Sequence, residues 1–186
     1  MKARKVSGLD PEAALADNAE RIIRVRLEEL CGFMPKAADP EEIGALHDMR
    51  IAAKRLRYIL EITAPCFGPY AKTATKMTKE LQDLLGEIHY CDVQVPETEQ
   101  FAERLLAADT AALHEAAGDA DDLDPALLKQ VPHARDHAGL AALQAHLRAR
   151  RLILFDRFLE LWGEHERKGF RARLEYAVGE RADAHI

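Results

Sequence analysis

Asp-Pro dipeptides recur along this 186-residue chain and mark places where helices are expected to begin. The dipeptide occurs at Asp10-Pro11, Asp39-Pro40 and Asp124-Pro125. Each copy sets a capping side chain before a proline at the first helical position, and Asp39 with Glu42 forms an Asp-x-x-Glu variant of the capping box. Because strand signals do not recur in the same way, the chain is predicted to be all-α.

Apolar periodicity and these caps together predict where the helices lie. The expected boundaries are about 11–33, 40–64, 70–89, 97–117, 126–131 and 137–167, with a weaker helical signal near 170–180. They indicate a compact antiparallel bundle of about six helices, including long ones. We expect a flexible N-terminus at residues 1–10, a single helical domain at 11–175 and a C-terminal tail at 176–186.

Charge is unevenly distributed along the chain. The totals are 26 Lys and Arg against 32 Asp and Glu, a formal net charge of -6, which does not suggest a protein that coats nucleic acid. Between Arg50 and Lys79, however, there are seven basic residues and one acid, whereas nine acids and one base lie between Glu97 and Pro125. The chain is acidic overall and contains a cationic segment.

Cysteine content and hydropathy indicate the compartment. The three cysteines, Cys31, Cys66 and Cys91, are an odd number at unrelated spacings, which favours reduced thiols in a cytosol over a disulfide framework. The basic N-terminal residues have no apolar run behind them, so they do not form a signal peptide. No stretch approaches the roughly 18 apolar residues that a membrane span needs. We therefore expect a cytoplasmic protein that does not bind membranes.

One face of the helix predicted over 40–64 carries a row of basic groups. At about 100° per residue, Met49 and Leu56 fall on the side expected to be buried. A different arc, at i, i+3, i+7 and i+10, carries His47, Arg50, Lys54 and Arg57, joined by Glu61 alone. Apolar residues beyond the row, Ile51, Tyr58 and Ile62, predict that it is only partly exposed.

A row of charges at helical spacing often faces water and needs no ligand. Here the shortage of acids beside the row argues for a ligand, because like charges three and four residues apart repel each other by roughly a few tenths of a kcal/mol per pair. An external polyanion would offset that repulsion. Both interpretations, a solvated face and an anion site, remain open from the residues.

Three further arginines fall among apolar residues on helical wheels. They are Arg26 in the first helix and Arg148 and Arg151 in the helix over 137–167. Burial of an unpaired guanidinium is unfavourable by roughly several kcal/mol of folding free energy. Each of these arginines therefore needs a carboxylate or a ligand anion as its partner. Internal carboxylates such as Glu29, Asp92 or Asp156 are the structural alternative to an anion site.

Two motifs resemble the signatures of the CHAD family, the conserved-histidine α-helical domain. The first is the stretch 46–60, Leu-His-Asp-Met-Arg-Ile-Ala-Ala-Lys-Arg-Leu-Arg-Tyr-Ile-Leu. The second is the stretch 79–93, Lys-Glu-Leu-Gln-Asp-Leu-Leu-Gly-Glu-Ile-His-Tyr-Cys-Asp-Val. The first helix and the segment 147–151 are similar more loosely, so the resemblance extends from about Pro11 to Arg173.

The resemblance implies a compact helical bundle whose basic cavity binds inorganic polyphosphate, in cells that often store it as granules. It implies that His47, Arg50, Lys54 and Arg57 line the cavity, and it adds Lys79. Arg26, Arg148 and Arg151 join the candidate site from the wheels. We expect binding without catalysis and without a cofactor. Larger family members contain two related halves, whereas this chain has one His-x-x-Arg motif, which leaves homodimerisation open.

The expected chemistry suits a polymer that carries charge and no bases. Arginine forks bind non-bridging phosphate oxygens in a bidentate manner, and lysine adds a point charge. A histidine beside an anion is protonated more readily, so binding should tighten as the pH falls towards about 6.5.

Catalysis and nucleic-acid binding are the main alternatives. Hydrolysis of polyphosphate or triphosphate needs a metal held by converging carboxylates, and the row offers only Glu61 and the adjoining Asp48. An accessory role beside an enzyme that acts on such substrates also remains open. Nucleic-acid binding lacks an aromatic stacking platform, since the chain has 6% aromatic residues and most fall at core spacing.

Metal binding is the remaining alternative. His133 and His137 have the i, i+4 spacing that sets two imidazoles on one helical face, without an evident third ligand. Cys66, His89 and Cys91 could also converge, and the acidic loop Gly118–Asp124 could hold a cation. None of these sets reaches the four-ligand pattern of structural zinc or the spacing of an EF-hand, so we expect no metal.

Overall fold

The computed structural model describes residues 2–181, and α-helices form nearly all of their regular structure. The helices are α1 (Leu15–Cys31), α2 (Met34–Ala37), α3 (Ile43–Thr63), α4 (Tyr70–Ala117), α5 (Ala134–Arg167) and α6 (Phe170–Ala177). Short 3-10 helices cover Ala64–Cys66 and Pro125–Lys129. Within the described residues there is no strand, only an isolated bridge between Phe67 and Arg181. The prediction of an all-α bundle is confirmed; residues 182–186 of the expected tail lie outside the described part.

The Asp-Pro dipeptides form turns rather than the first turns of α-helices. In each copy the aspartate Oδ1 accepts the N–H of the residue two positions later, at 3.0 Å for Asp10, 2.9 Å for Asp39 and 2.8 Å for Asp124. This is the bond of an Asx-turn. The α-helices follow only at Leu15 and Ile43, and a 3-10 helix follows Asp124. The helix starts predicted at 11 and 40 are therefore wrong by a few residues.

Helix α4 is a single helix of 48 residues where two helices were predicted. The expected break lay between 89 and 97, and Pro96 stands inside the helix. A proline removes one N–H from the ladder of backbone hydrogen bonds, while the residues on either side keep their own. Thr98 Oγ1 donates to the carbonyl oxygens of Gln94 and Val95, at 2.9 and 2.8 Å. The helix therefore continues through the proline.

The chain separates into two compact units. The first unit combines the residues up to His89 with those from Leu154 onward, and the second unit runs from Tyr90 to Ile153. Helices α4 and α5 each contribute one part to each unit. The single domain expected over 11–175 stays a prediction.

The core of the first unit determines which face of α3 is buried and which face remains outside the core. Helix α1 packs against α3, and α3 buries its apolar stripe at Met49, Ala52, Ala53, Leu56 and Leu60. Other helices supply fully buried side chains, among them Ile23, Leu27, Leu30, Leu81, Leu85, Ile88, Phe158 and Leu174. Burial of one such large side chain contributes about 1.5–3 kcal/mol. Rotation of α3 would expose several at once, so the helix orientation is strongly determined.

In the second unit, a buried carboxylate joins the start of α5 to α4. Asp109 accepts hydrogen bonds from His133 Nδ1 and His137 Nε2, each at 2.8 Å, and from the His133 backbone N–H at 3.2 Å. Burial alone would raise the pKa of Asp109, but the bonds from His137 and His133 outweigh it and lower that pKa. The two histidines of the i, i+4 pair therefore act together as partners of one acid.

Candidate anion-binding site

Helices α3 and α4 run antiparallel along the basic row. His47 Nδ1 lies 3.4 Å from His89 Nδ1. About one turn further along α3, Arg50 lies beside Gly86 of α4, where an added Cβ would be 3.8 Å from Arg50 Nε. Near the other end, Arg57 Nη1 is 4.0 Å from Asp83 Oδ1. The second sequence motif therefore lies beside the first, as neighbouring faces of the two helices.

The row is partly open to solvent. His47, Arg50 and Arg57 are half-buried and Lys54 is exposed. From His47 to Arg57 the helix rises about 15 Å at 1.5 Å per residue. Beyond the row, Tyr58 is 45% exposed and Ile62 is 70% exposed, so the second apolar flank expected from the wheel is not covered by the described residues. A basic cleft around the row stays a prediction.

The acids beside the row neutralise only part of its charge. Arg57 Nε lies 3.3 Å from Glu61 Oε1, and Lys79 Nζ lies 3.1 Å from Asp83 Oδ2. The Arg57 Nε is buried and has no aligned hydrogen-bond acceptor among the described residues. Within residues 2–181, no carboxylate pairs with Arg50 or Lys54. The two carboxylates, Glu61 and Asp83, thus pair with Arg57 and Lys79 and leave the charges of Arg50 and Lys54 without an acid partner in the described residues.

An exposed tyrosine lies between two members of the row. Lys54 Nζ is 5.7 Å from the centroid of the Tyr58 ring, and Arg57 Cζ is 4.9 Å from it. Such contacts orient long basic side chains along a ring face. The sequence interpretation placed Tyr58 with the apolar flank and did not associate it with the row; its i, i+4 and i, i+1 spacings to Lys54 and Arg57 are the signal that could have done so.

Arg26 is half-buried, with 14% of its side chain exposed, and it has an internal partner. Its Nη1 lies 2.8 Å from Glu29 Oε2, while Arg55 Nη1 lies 3.2 Å from Glu29 Oε1. The Arg4 backbone N–H also donates to Glu29, at 3.2 Å. Glu29 is only 2% exposed. One buried carboxylate therefore pairs with two arginines, which is the structural alternative foreseen for Arg26.

Arg148 and Arg151 belong to the second unit and are paired there. Arg151 bonds the carboxylate of Asp92, and Arg148 bonds that of Glu99. The wheel is wrong about Arg148, whose side chain is 55% exposed. The reason is that α5 buries little near this point: Leu147 is buried, whereas Leu152 and Ile153 are 60% and 61% exposed.

In the described residues, no group of three His, Cys, Asp or Glu side chains is arranged to hold a metal ion. The cysteines are free thiols. Asp109, the acid that the sequence did not associate with His133 and His137, is hydrogen-bonded to both.

None of the described helices is long and apolar enough to cross a membrane.

Comparison with protein-family models assigns these motifs to a known family. The family model for the CHAD domain matches residues 2–99, slightly more than half of the chain. The matched range contains α3, the α4 residues that face it and Arg26, and it leaves out Arg148 and Arg151. Neither the curated proteins nor the solved structures include a match to this chain.

Proposed function

Because the chain belongs to the CHAD domain family, which is associated with polyphosphate- and triphosphate-related proteins, we propose that it binds inorganic polyphosphate without turning it over. The binding residues are the basic row of α3, namely His47, Arg50, Lys54 and Arg57, with Lys79 of α4 beside them. The proposal concerns a polyanion that is recognised by charge and oxygen geometry.

The lack of counter-charges at Arg50 and Lys54 carries this proposal. Salt bridges elsewhere in the chain engage Arg26, Arg148 and Arg151 with nearby carboxylates, whereas Arg50 and Lys54 have no acid partner in the described residues. Adjacent like charges are unfavourable, and a bound anion removes the repulsion. Cations that are left unneutralised side by side are thus best explained by an external anion.

Each member of the row can contribute a different contact. Arg50 and Arg57 offer planar forks for two phosphate oxygens, and Lys54 and Lys79 offer compact charges. His47 adds an imidazole N–H donor. Arg26, Arg148 and Arg151 are predicted members of the site whose present carboxylate partners would have to be displaced, so the proposal does not depend on them.

The carboxylates beside the row support binding rather than hydrolysis. Glu61 and Asp83 are engaged with Arg57 and Lys79, and they do not converge with a third ligand in the described residues. A phosphoryl-transfer site needs groups that hold a metal and orient the attacking water. We therefore propose that the protein retains polyphosphate or positions it for other proteins.

Titration with fluorescently labelled long-chain polyphosphate tests the proposal. We expect the double variant Arg50→Glu with Arg57→Glu to bind at least about 100-fold more weakly at low salt, because two contacts become repulsions. The matched control is Arg21→Glu with Arg157→Glu, which makes the same change in net charge at exposed positions of α1 and α5. Far-UV circular dichroism checks that both retain their helices, and the exposed single variant Lys54→Glu serves if the double variant does not fold.

Salt and competitor series identify the kind of interaction. About four ionic contacts predict that affinity falls roughly 50-fold between about 50 and 200 mM salt, by analogy with counterion release from single strands. Wild-type affinity in the double variant, or an equal loss in its control, contradicts the proposed row. Displacement of polyphosphate by an equal charge of DNA favours nucleic acid instead, and phosphate release with Mg²⁺ or Mn²⁺ establishes catalysis.

We also propose that the protein resides in the cytoplasm at polyphosphate granules. Three free thiols fit a reducing compartment, and a surface row of cations can hold the protein on a granule. A fluorescent fusion of the full chain should coincide with stained granules and disperse in the double variant. A diffuse wild-type signal in cells rich in granules contradicts this location.

A further inference from the structure

The second unit, residues 90–153, leaves much of its apolar surface uncovered. Across this range, all of which is described, only Cys91, Asp109 and Leu147 are buried. The range holds eight of the fourteen large apolar side chains that are exposed in the described residues, although it has only about a third of those residues. Helices in proteins are stabilised mainly by burial of an apolar stripe against another element. Part of the surface of this unit therefore lacks such an element.

The parts of α4 and α5 within this unit pair as two antiparallel helices, which we call the hairpin. The hydrogen bonds of Asp109 to His133 and His137 set the register between the two helices. Phe101 lies eight residues before Asp109, and Leu143 lies eight residues after the midpoint between the two histidines. Because the helices run in opposite directions, Phe101 and Leu143 lie at the same level of the hairpin.

Phe101 and Leu143 also lie on the same flank of the hairpin. Glu99 of α4 and Arg148 of α5 are paired and mark the other flank. At about 100° per residue, Phe101 is turned about 160° from Glu99, and Leu143 is turned about 140° from Arg148 in the same sense. The side chains of Phe101 and Leu143 are 44% and 43% exposed. We call the surface around these two residues the Phe101 flank.

The two helices of the hairpin carry opposite charges. Over residues 97–117, α4 has five acids and one base, whereas over residues 134–153, α5 has four arginines and one acid. Within one hairpin these charges already attract each other, as the pair of Glu99 and Arg148 shows. A second hairpin that laid its α4 over this α5 would repeat the attraction twice, once in each direction. The hairpin is thus complementary to a second copy of itself, as a twofold interface requires.

We propose that the Phe101 flank is a homodimer interface, at which two copies of the hairpin pack as a four-helix bundle. The twofold axis runs parallel to the helices, so Phe101 of each copy meets Leu143 of the other. A flank as long as 21 helical residues and as wide as two helices has a footprint of about 600 Å². Stable interfaces bury roughly 600–1,000 Å² per partner. The interface shares no residue with the basic row of α3, so this proposal is independent of polyphosphate binding.

Analytical ultracentrifugation of the full chain tests whether the dimer forms. We expect twice the mass of one chain at about 100 µM and dissociation to single chains near about 1 µM, because the interface is at the small end of its class. A chain that remains monomeric at the higher concentration overturns the proposal. The Phe101 flank would then be covered by another part of the chain or by a different protein.

Charged variants locate the interface on the hairpin. Phe101→Arg and Leu143→Glu each set a charge against an apolar side chain of the other copy and should weaken dimerisation at least about thirtyfold. The matched controls Leu106→Arg and Leu152→Glu make the same changes at exposed leucines that helical spacing sets on the other flank. We expect the controls to dimerise like the wild type. Equal weakening in the controls, or no weakening in Phe101→Arg or Leu143→Glu, overturns the assigned flank.

A mixture of the two charged variants tests the twofold arrangement. In a heterodimer of Phe101→Arg with Leu143→Glu, the new guanidinium meets the new carboxylate, and the unchanged side chains meet at the symmetry-related contact. We expect the heterodimer to bind at least about tenfold more tightly than either variant binds itself. No recovery in the mixture, while far-UV circular dichroism shows both variants to be helical, overturns the proposal. If a charged variant loses its helices, Leu143→Ala replaces it and should weaken dimerisation about fivefold; wild-type affinity in that variant overturns the proposal as well.

Discussion

Gly86 leaves the guanidinium of Arg50 without a facing side chain on α4. A Cβ built there would meet Arg50 Nε at 3.8 Å, an ordinary van der Waals contact, so small side chains fit. Because glycine inside a helix is unfavourable by about 0.5–1 kcal/mol relative to alanine, this position gives up some helix stability. The position is well placed to control how strongly Arg50 attracts an anion.

A carboxylate introduced at this position should compete with the ligand for Arg50. We expect Gly86→Glu to lower polyphosphate affinity about tenfold by giving Arg50 an internal partner, which corresponds to about 1.4 kcal/mol. Gly86→Gln, with nearly the same shape and no charge, should bind within about twofold of the wild type. The labelled-polyphosphate titration measures both, and an equal loss in the two variants would mean that bulk rather than charge is responsible.

At the residue scale, the sequence predicted what helical periodicity controls. The row from His47 to Arg57 lies on one arc of α3 because a spacing of 3.6 residues sets that arc whatever the tertiary structure. The apolar surroundings expected for Arg148 were predicted wrongly, because a wheel reports the direction of a side chain but not whether another element covers it. The double engagement of Glu29 by Arg26 and Arg55 depends on how α1 packs on α3, which no single segment encodes.

At the scale of elements, proline positions predicted the helix boundaries less reliably than apolar periodicity predicted the helices. Pro11 and Pro40 follow aspartates whose turns end before α1 and α3 begin, and Pro96 interrupts nothing. A local turn and a helix N-terminus share the same first hydrogen bond, so the dipeptide alone cannot separate them. Helix existence was nevertheless predictable along most of the chain, since apolar residues recur at helical spacing in α1, α3 and α5.

Replacement of Pro96 should stabilise α4. Pro96 is exposed, so Pro96→Ala loses little packing, restores a backbone N–H and removes a penalty of about 3 kcal/mol for proline inside a helix. Loss of the proline also makes the unfolded chain more flexible, which reduces the gain in stability by up to about 1 kcal/mol. We expect the free energy of unfolding in urea to rise by about 2 kcal/mol. The exposed neighbour variant Gln100→Ala should change it by less than about 0.5 kcal/mol; no gain in Pro96→Ala would show that the helix already compensates for the proline.

At the scale of the whole molecule, burial of His165 should make stability depend on pH. Burial lowers its pKa, and this outweighs the opposing effects of the hydrogen bond to the Leu161 backbone and of the negative charges of Glu80 on α4 and Glu164, while Lys168 acts in the same direction as burial. Below the unfolded value of about 6.5, the unfolded chain takes up the proton more readily than the folded chain. The contribution of His165 to stability is therefore present above that pH and declines as the pH falls towards the folded pKa.

Urea unfolding at about pH 7.5 and pH 5.5 measures this dependence. We expect the loss of stability over that interval to be smaller in His165→Phe than in the wild type, because the variant has no proton to take up at this position. His114→Gln changes an exposed histidine and should leave the loss as it is. An unchanged loss in His165→Phe would show that other groups account for the pH dependence.

The short extent of the basic row along α3 affects how many protein molecules one polymer would carry. A run of about 15 Å grips only a brief portion of a long phosphate chain, so the portions on either side stay accessible to further copies. Occupancy should therefore scale with polymer length, and each added copy would bring its own acidic surplus to the assembly. Mutual repulsion between those copies would then set the spacing at which the polymer is decorated.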